Sequence, residues 1–395
     1  MNILDSIKQY ATQNHDEVIA MRRHLHAHPE LSKKEKETAG FIISKLKEYN
    51  ISYTTFAKHY GIVADIKGNN PDKKVVALRA DMDALPIKER NNVAYKSENE
   101  GIMHACGHDV HTSSLLGTAK ILNAIKNQFE GTVRLIFQPS EEMYPGGASM
   151  LIADSVLKNP DVDVIFGQHV LSTLDAGKVG VKSGKSMAST DEIFITVKGK
   201  GGHGATPDLN IDPVVIASNI IVALQQIVSR KAPPEIPTVL SFGRFIADGK
   251  TNIIPDEVYI EGTLRTFNEG WRSKAHDLVR QICTSTAQAM GAEALVKIVT
   301  GYPFLVNDDL LSKRFKDYAV QYLGKENVLD IDLRMTAEDF AFYSQKVPAC
   351  FYRLGIRNLE KGINSNIHTA TFDIDEKALE ISTGLMCWLA VKELG

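Results

Sequence analysis

The chain has 395 residues, of which 44% are hydrophobic and 24% charged, and its formal net charge is −3. This length exceeds what one hydrophobic core usually serves, so two domains are expected. The composition is that of a soluble globular protein, and the charge argues against a general nucleic-acid-binding protein. Four irregularly spaced cysteines form no disulfide framework, the N-terminus lacks the apolar stretch of a secretory signal, and no apolar run is long enough to cross a bilayer. We therefore expect a cytoplasmic protein without nucleic-acid or membrane partners.

The first part of the chain alternates helices with strands. Helices are predicted over 14–27, 35–49, about 110–127 and about 146–158, and strands over 61–66, 75–78, 132–137 and 162–166. The last three strands are apolar and lead directly into polar residues. Alternation of this kind predicts an α/β domain with a doubly wound, mainly parallel sheet. Such sheets bind ligands at the carboxyl ends of their strands.

From about residue 186 the order changes to β-α-β-β-α-β, the split ferredoxin-like arrangement. The strands are predicted at 189–200, 238–247, 258–267 and 294–300, and the helices at 211–229 and 270–290. After residue 300 we predict helices at 309–323 and 336–346, a strand at 349–354 and an amphipathic helix at 376–393. These patterns predict an inserted α+β domain at 186–298 and a discontinuous catalytic domain formed by 1–185 and 299–395.

Side chains that bind metals are concentrated in Met103–Thr112, which reads MHACGHDVHT. Cysteine thiolate, imidazole and carboxylate are ligands for zinc and its neighbours in the first transition row. Candidate donors from this stretch, from two strand ends and from a late loop are Cys106, His108, Glu142, His169 and His368. Five donors exceed the need of one tetrahedral ion and suit two metals a few ångströms apart.

Glu141 and Glu142 follow a predicted strand, where adjacent side chains point in different directions. One carboxylate can therefore bind metal while its neighbour acts as a general base and then as an acid for a leaving amine. Asp81 and Asp83 alternate on an extended segment. We expect Asp83 to hold ligands by hydrogen bonds, and the role of Asp81 stays open.

The inserted domain contributes three further candidates. His203 lies among four glycines, which permit close approach of the backbone to a ligand, so its ring can donate a hydrogen bond to an oxyanion. Arg265 can bind a carboxylate with two parallel hydrogen bonds, and Asn252 lies in the same domain. The alternatives are an exposed hairpin tip for His203 and a surface ion pair for Arg265.

Together the motifs resemble the di-metal amidohydrolases of the aminoacylase and carboxypeptidase type. The resemblance is to the branch that contains hippurate hydrolases, N-acyl-amino-acid and N-acetyl-diaminopimelate deacetylases, and auxin-conjugate hydrolases. The matching stretches are RADMDALPI (79–87), MHACGHDVHT (103–112), QPSEE (138–142), GQHV (167–170), GKGGHGATP (199–207), TNIIPDEVYIEGTLRTF (251–267), AEDFAFY (337–343) and IHTATFDIDE (367–376). They span nearly the whole chain in the order of the family.

The resemblance implies metal ligands at the five donors named above and a general base at Glu141. It implies two divalent metals (zinc, manganese, cobalt or nickel) and a lid and dimerisation domain at 186–298, hence a homodimer. Residues matching His203 and Asn252 reach an active site, in some similar proteins that of the partner subunit, and the residue matching Arg265 lies near the substrate carboxylate. The expected reaction is hydrolysis of an N-acyl amino acid by a metal-activated water.

The chain departs from the family pattern in four places. Sister branches carry His-x-Asp where this chain has Arg79-Ala80-Asp81. Changes at 143–147, at Gln168 and at 369–371 border the expected pocket and bear on substrate identity. Three alternatives remain: an exopeptidase of the same family, a thiol hydrolase with Cys106 as nucleophile, and a non-catalytic dimeric metal-binding protein.

Overall fold

A computed structural model describes residues 2–395, which form two compact units. The first contains the chain up to Ser186, together with Val306–Leu333 and Asp339–Gly395, and the second contains Met187–Leu305 and Arg334–Glu338. The second unit extends beyond residue 298 because its last strand stays paired as far as Thr300.

The helices of the chain have well-defined bounds. They are α1 (Ile3–Gln13), α2 (His15–Ala27), α3 (Lys36–Glu48), α4 (His108–Ala124), α5 (Gly147–Ala153), α6 (Pro213–Gln226), α7 (Glu269–Ala289), α8 (Asp309–Leu323), α9 (Ala341–Ser344) and α10 (Lys377–Leu394). Helix α1 was not predicted, although Asn2 caps it by accepting a hydrogen bond from the Asp5 amide.

The strands fall into two larger sheets and two short pairs. They are β1 (Tyr53–Thr55), β2 (Ile62–Lys67), β3 (Val75–Asp81), β4 (Thr132–Gln138), β5 (Val164–Asp175), β6 (Val179–Val181), β7 (Gly184–Met187), β8 (Asp191–Lys198), β9 (Gly202–His203), β10 (Thr238–Ile246), β11 (Ile253–Ile254), β12 (Glu257–Thr266), β13 (Glu293–Thr300), β14 (Leu305–Asn307), β15 (Val328–Asp330) and β16 (Ala349–Arg357). The short pairs are β9 with β11 and β7 with β14.

The first unit is built on an eight-stranded sheet of order β1-β2-β4-β3-β5-β16-β6-β15. Its four central strands, β4, β3, β5 and β16, are parallel to one another. Every residue of β3 and β4 is buried, as expected for parallel strands covered on both faces. The prediction of an α/β domain with a mainly parallel sheet is confirmed.

Two helices of the first unit differ from expectation. Helix α9 has four residues rather than the eleven of 336–346, because the backbone before it is irregular where Asp339 turns inward to bind Gln138 and the Ala148 amide. Helix α10 was expected to be amphipathic, yet fourteen of its eighteen residues are buried. It packs against α1, α4, α8 and β3, so almost no face meets solvent.

The second unit has a four-stranded antiparallel sheet of order β10-β12-β8-β13. Helices α6 and α7 pack against each other and against this sheet, and together they enclose a separate hydrophobic core. In chain order the elements are β8-α6-β10-β12-α7-β13, the predicted split arrangement. Alternate residues of β8 are buried, so only one face of the sheet contacts the helices.

Candidate active site

The end of β3 and the loop before α4 position the first of the predicted metal donors. Strand β3 ends at Asp81, and α4 begins at His108 directly after Gly107. Gly107 has φ +83°, and a Cβ there would lie 2.6 Å from the Val170 side chain. Only glycine fits this close approach with a left-handed backbone, which places Cys106 and His108 on either side of the turn.

The five predicted metal donors come together in this unit. The Cys106 sulfur lies 3.3 Å from Nε2 of His169 and 3.2 Å from Nε2 of His368. Oε1 of Glu142 lies 3.3 Å from Nε2 of His368 and 3.9 Å from Nε2 of His108. Donor atoms therefore form overlapping groups, each within 4.8 Å, that share Cys106, His108 and Glu142.

Hydrogen bonds orient the imidazole rings of the cluster. Nδ1 of His108 donates to the backbone oxygen of Asp83 at 2.8 Å, and Nδ1 of His169 donates to the backbone oxygen of Val170 at 2.8 Å. Each bond engages Nδ1, so Nε2 is the nitrogen that is directed at the cluster and available to a metal. Among residues 2–395, Nε2 of His108 and Oε1 of Glu142 are buried without a hydrogen-bond partner.

The charge around the cluster favours a cation. Burial opposes a charged ring, but the carboxylates of Asp81, Asp83 and Glu142 outweigh it and raise the pKa of His108 to about 10. Burial and then the carboxylates of Glu142 and Glu141 raise the pKa of the Cys106 thiol well above its usual range. Metal-donor atoms that lack hydrogen-bond partners and lie among carboxylates suit a pair of divalent cations. Bound cations would favour the deprotonated forms of both His108 and Cys106.

Glu141 lies beside this cluster and is only 7% exposed. An oxygen of its carboxylate, one of the Glu142 carboxylate and a ring nitrogen of His108 lie within 4.8 Å of one another. Its Oε1 accepts a long hydrogen bond of 3.4 Å from the Asp339 amide. Asp83 fixes the backbone, since its two oxygens accept from the amides of Glu141 and Glu142, each at 3.0 Å.

A buried polar network lies behind the cluster. The Arg79 guanidinium donates to Asp81, to Asp339 at 2.8 Å and to Gln138 at 2.9 Å. The other oxygen of Asp81 binds Nδ1 of His111. The structural roles of Arg79, Gln138 and Asp339 were not predicted. The one available signal was the Arg79 departure from the family pattern, because isolated polar residues at distant positions carry no spacing signal.

His111 is part of this network. Its Nε2 accepts from the Val170 amide at 3.0 Å while Nδ1 faces Asp81, so both ring nitrogens are engaged. Burial raises the pKa of Asp81, and the charge of Arg79 lowers it. Arg79 and the neighbouring histidines prevail, and they hold the pKa of Asp81 well below its usual range.

In the second unit His203 and Asn252 lie side by side. His203 in β9 pairs with Ile253 in β11, and the Gly204 amide donates to the Asn252 oxygen at 2.9 Å. The Ala205 amide donates to Nδ1 of His203 at 3.0 Å. The ring proton therefore sits on Nε2, which is a hydrogen-bond donor on an exposed residue.

Arg265 lies in β12 of the same unit. Its Nη1 binds the hydroxyl oxygens of Thr190 and Thr263, and it forms no ion pair with a carboxylate anywhere in residues 2–395. Burial lowers its pKa. A half-buried guanidinium without an acidic partner suits an external anion, in contrast to the surface ion pair considered from the sequence.

The family model described as Peptidase family M20/M25/M40 matches residues 77–391. The chain belongs to this family. It is thus a metal-dependent amidohydrolase, and the resemblance found in the sequence is confirmed.

Several known proteins resemble this member of the family. An N-acyl-L-amino acid amidohydrolase of Geobacillus stearothermophilus is 42% identical over 77% of this chain and 82% of its own length. Thermostable carboxypeptidase 2 of Saccharolobus solfataricus is 37% identical over 99% of both chains. The crystal structure of the Bacillus subtilis YXEP protein, described as a dinuclear metal-binding peptidase, has a TM-score of 0.84 and 36% identity over 97% of this chain and 99% of its own.

Replacement of Arg79 by methionine should strongly destabilise the protein. Arg79 is the buried cation that contacts both Asp81 and Asp339, and breaking a buried pair costs roughly 3–5 kcal/mol. The matched control is Arg23→Met, which removes a half-exposed pair with Glu376 and should cost less than about 1 kcal/mol. The measurement is the free energy of unfolding in urea at pH 7 with chelator present. Equal free energies of unfolding for the two variants would contradict the structural role assigned to Arg79.

Metal affinity should increase with pH. With a pKa raised to about 10, the metal-free His108 ring is expected to be protonated on both nitrogens at neutral pH. Binding must release this proton, so affinity should rise at least about tenfold per pH unit between pH 6 and 8. Calorimetric titration of metal-free protein with Zn²⁺ or Mn²⁺ at three pH values measures the slope. A flat or falling profile would show that His108 is not a ligand.

Proposed function

We propose that this enzyme hydrolyses the amide bond of N-acyl amino acids, with Glu141 as general base. The observation that carries the proposal is the Glu141 carboxylate, nearly buried and next to a donor cluster that already contains Glu142. Cys106, His108, Glu142, His169 and His368 would hold two divalent metals, whether zinc, manganese, cobalt or nickel. Bound divalent cations lower the pKa of water and polarise an acyl oxygen.

The residues of this chain then have separate tasks. Glu141 takes a proton from the attacking water and passes it to the departing amine. His203 donates from Nε2 to the oxyanion that develops on the carbonyl oxygen of the acyl group. Arg265 binds the carboxylate of the amino acid, and Asn252 contacts the substrate beside His203. The half-exposed side chain of His368 leaves one side of the donor cluster open to solvent.

Two alternatives are less well supported. A Cys106 nucleophile requires a thiolate, which burial and the adjacent carboxylates disfavour. A chelator would leave such an enzyme active, whereas it should inactivate this one until metal is restored. The alternative of a carboxypeptidase or dipeptidase activity rests on the relative named a carboxypeptidase. Rates on N-acetyl, N-benzoyl and longer acyl amino acids against dipeptides separate the two substrate classes, and no turnover of any of them with metal restored would favour a non-catalytic protein.

We further propose that 186–298 forms the dimer and that His203 acts across it. Strand β12 starts at Glu257, near the β9–β11 pair, because the Gly201 amide donates to the neighbouring Asp256. Arg265 lies eight residues further along, roughly 26 Å away at about 3.3 Å per residue. One small substrate cannot span this distance, so Arg265 and His203 would serve it from two copies of the chain.

The surface of this region supports self-association. Strand β10 lies at the edge of its sheet with Phe245 and Ile246 exposed, and α6 exposes Val215 and Val222. Edge strands and contiguous apolar surface are typical of protein interfaces. Contrary to the expectation from the sequence, the segment Pro213–Lys231 is by length and composition apolar enough to cross a membrane. Part of it is buried in its own unit, and we assign its exposed face to the dimer. A cytoplasmic location completes the proposal, since all four cysteines are unpaired.

Replacement of Glu141 by glutamine should strongly lower turnover without loss of metal. The amide keeps the shape of the side chain but cannot accept the proton, so kcat should fall by roughly 10²–10⁴-fold. The control is Glu142→Gln, which should lower the metal-to-protein ratio measured by elemental analysis. Near-normal rates for Glu141→Gln on N-acetyl amino acids would refute its role as general base.

Co-expression of two inactive variants should restore activity if His203 acts across the dimer. A chain with His203→Ala keeps Glu141, and a chain with Glu141→Ala keeps His203, so one site of each mixed dimer is complete. Random pairing makes half of the dimers mixed, so about a quarter of the wild-type activity is expected. Activity of the co-expressed pair no greater than that of each variant alone would indicate that both residues act within one chain.

A further inference from the structure

The turn that carries Glu141 and Glu142 is bound by two buried carboxylates. Asp83 accepts hydrogen bonds from the amides of Glu141 and Glu142. Glu35 accepts from the amide of Ser140 at 2.7 Å and from its hydroxyl at 2.9 Å. Three consecutive amides are thus fixed by carboxylates, one of which comes from a part of the chain about a hundred residues earlier.

Ser140 has an unusual backbone conformation. Its φ is +56°, in the left-handed region that residues other than glycine rarely adopt. A conformation of this kind persists only where surrounding contacts hold it, and such sites cluster in active centres. The contacts here include the two bonds to Glu35, the Lys33 amide, which donates to the Ser140 hydroxyl at 2.9 Å, and the Gly147 amide, which donates to the Ser140 backbone oxygen at 3.1 Å. The direction in which Glu141 leaves the strand depends on this residue.

The burial of Glu35 costs more free energy than a purely structural role would require. Its side chain is fully buried, it forms no ion pair within residues 2–395, and its Oε2 has no hydrogen-bond partner there. Burying a charge without a counter-charge costs free energy that an apolar residue would not. Burial and the nearby Asp83 raise the pKa of Glu35 to about 7, so the carboxyl accepts a proton readily. A neutral side chain with the same acceptor oxygen should therefore replace it well.

We propose that Glu35 is the positioning residue of the Glu141–Glu142 turn, through its two hydrogen bonds to Ser140. The proposal rests on the function proposed above, in which Glu141 is the general base and Glu142 a metal ligand. Glu35 itself contacts neither the donors nor the substrate. Its effect is to hold the backbone that aims both carboxylates.

The test compares Glu35→Ala with Glu35→Gln, and the control is Glu37→Ala, two residues further along in the first turn of α3, where the side chain is exposed. A displacement of about 1 Å at a reacting group can cost roughly 100-fold, so Glu35→Ala should lower kcat by about 10–100-fold with KM nearly unchanged. Glu35→Gln keeps the acceptor oxygen and should stay within about threefold of the wild type. Glu37→Ala should match the wild type.

A second pair of variants separates positioning from folding. Glycine adopts a positive φ without strain, so Ser140→Gly in the Glu35→Ala background should recover much of the lost kcat. Urea unfolding of every variant shows which of them are folded, and if Glu35→Ala is not, the comparison rests on Glu35→Gln and on the double variant. Three outcomes would overturn the proposal: wild-type kcat in Glu35→Ala, equal damage in Glu35→Gln, or no recovery in the double variant.

Failure of the proposed function would give a different result. In that case the wild type turns over none of the acyl amino acids or dipeptides, and calorimetric titration of metal-free protein with Zn²⁺ decides the role of Glu35. Weaker metal binding in Glu35→Ala than in Glu35→Gln and Glu37→Ala supports positioning of Glu142. Equal affinities in all three variants overturn it.

Discussion

The site depends on an excess of buried negative charge at the carboxyl ends of the parallel strands. Asp81, Asp83, Glu141 and Asp339 are all nearly or fully buried within the first unit, and Arg79 neutralises only part of this charge. Such a cluster is stable only if further cations or protons enter it. The raised pKa of His108 fits a proton in that role, and divalent metals bound to the same donors would replace it.

Hydrogen bonds to the main chain fix the positions of the metal donors. His108 and His169 each donate from Nδ1 to a main-chain oxygen, and the His368 amide donates to the Ala105 oxygen at 2.7 Å. Each contact removes rotational freedom before any ligand arrives, so less conformational entropy is lost on binding. The same principle applies to Glu141 and Glu142, whose amides are bound by Asp83.

The sequence was informative where residue type and position coincide. Cys106, His108 and His169 are metal-ligand types at or near strand ends, and the rules for parallel sheets bring such positions together. Glu35 and Asp339 gave no such signal, because a single carboxylate has no spacing pattern, and only the fold shows that it turns inward. The prediction that α10 is amphipathic was wrong, because a helix surrounded by other elements needs no polar face. The shortest strands have too few residues for a periodicity to be read.

The contacts of Arg79 bear on the role of Asp81, which the sequence left open. One oxygen of Asp81 accepts from Arg79 and the other binds His111, so both are engaged in strong hydrogen bonds. We infer that Asp81 supports the site rather than binding metal. A fixed guanidinium where sister branches have a histidine ligand removes one donor and adds a positive charge. The Cys106 thiolate would compensate for both, since it supplies a donor and a negative charge to the cluster next to His169 and His368.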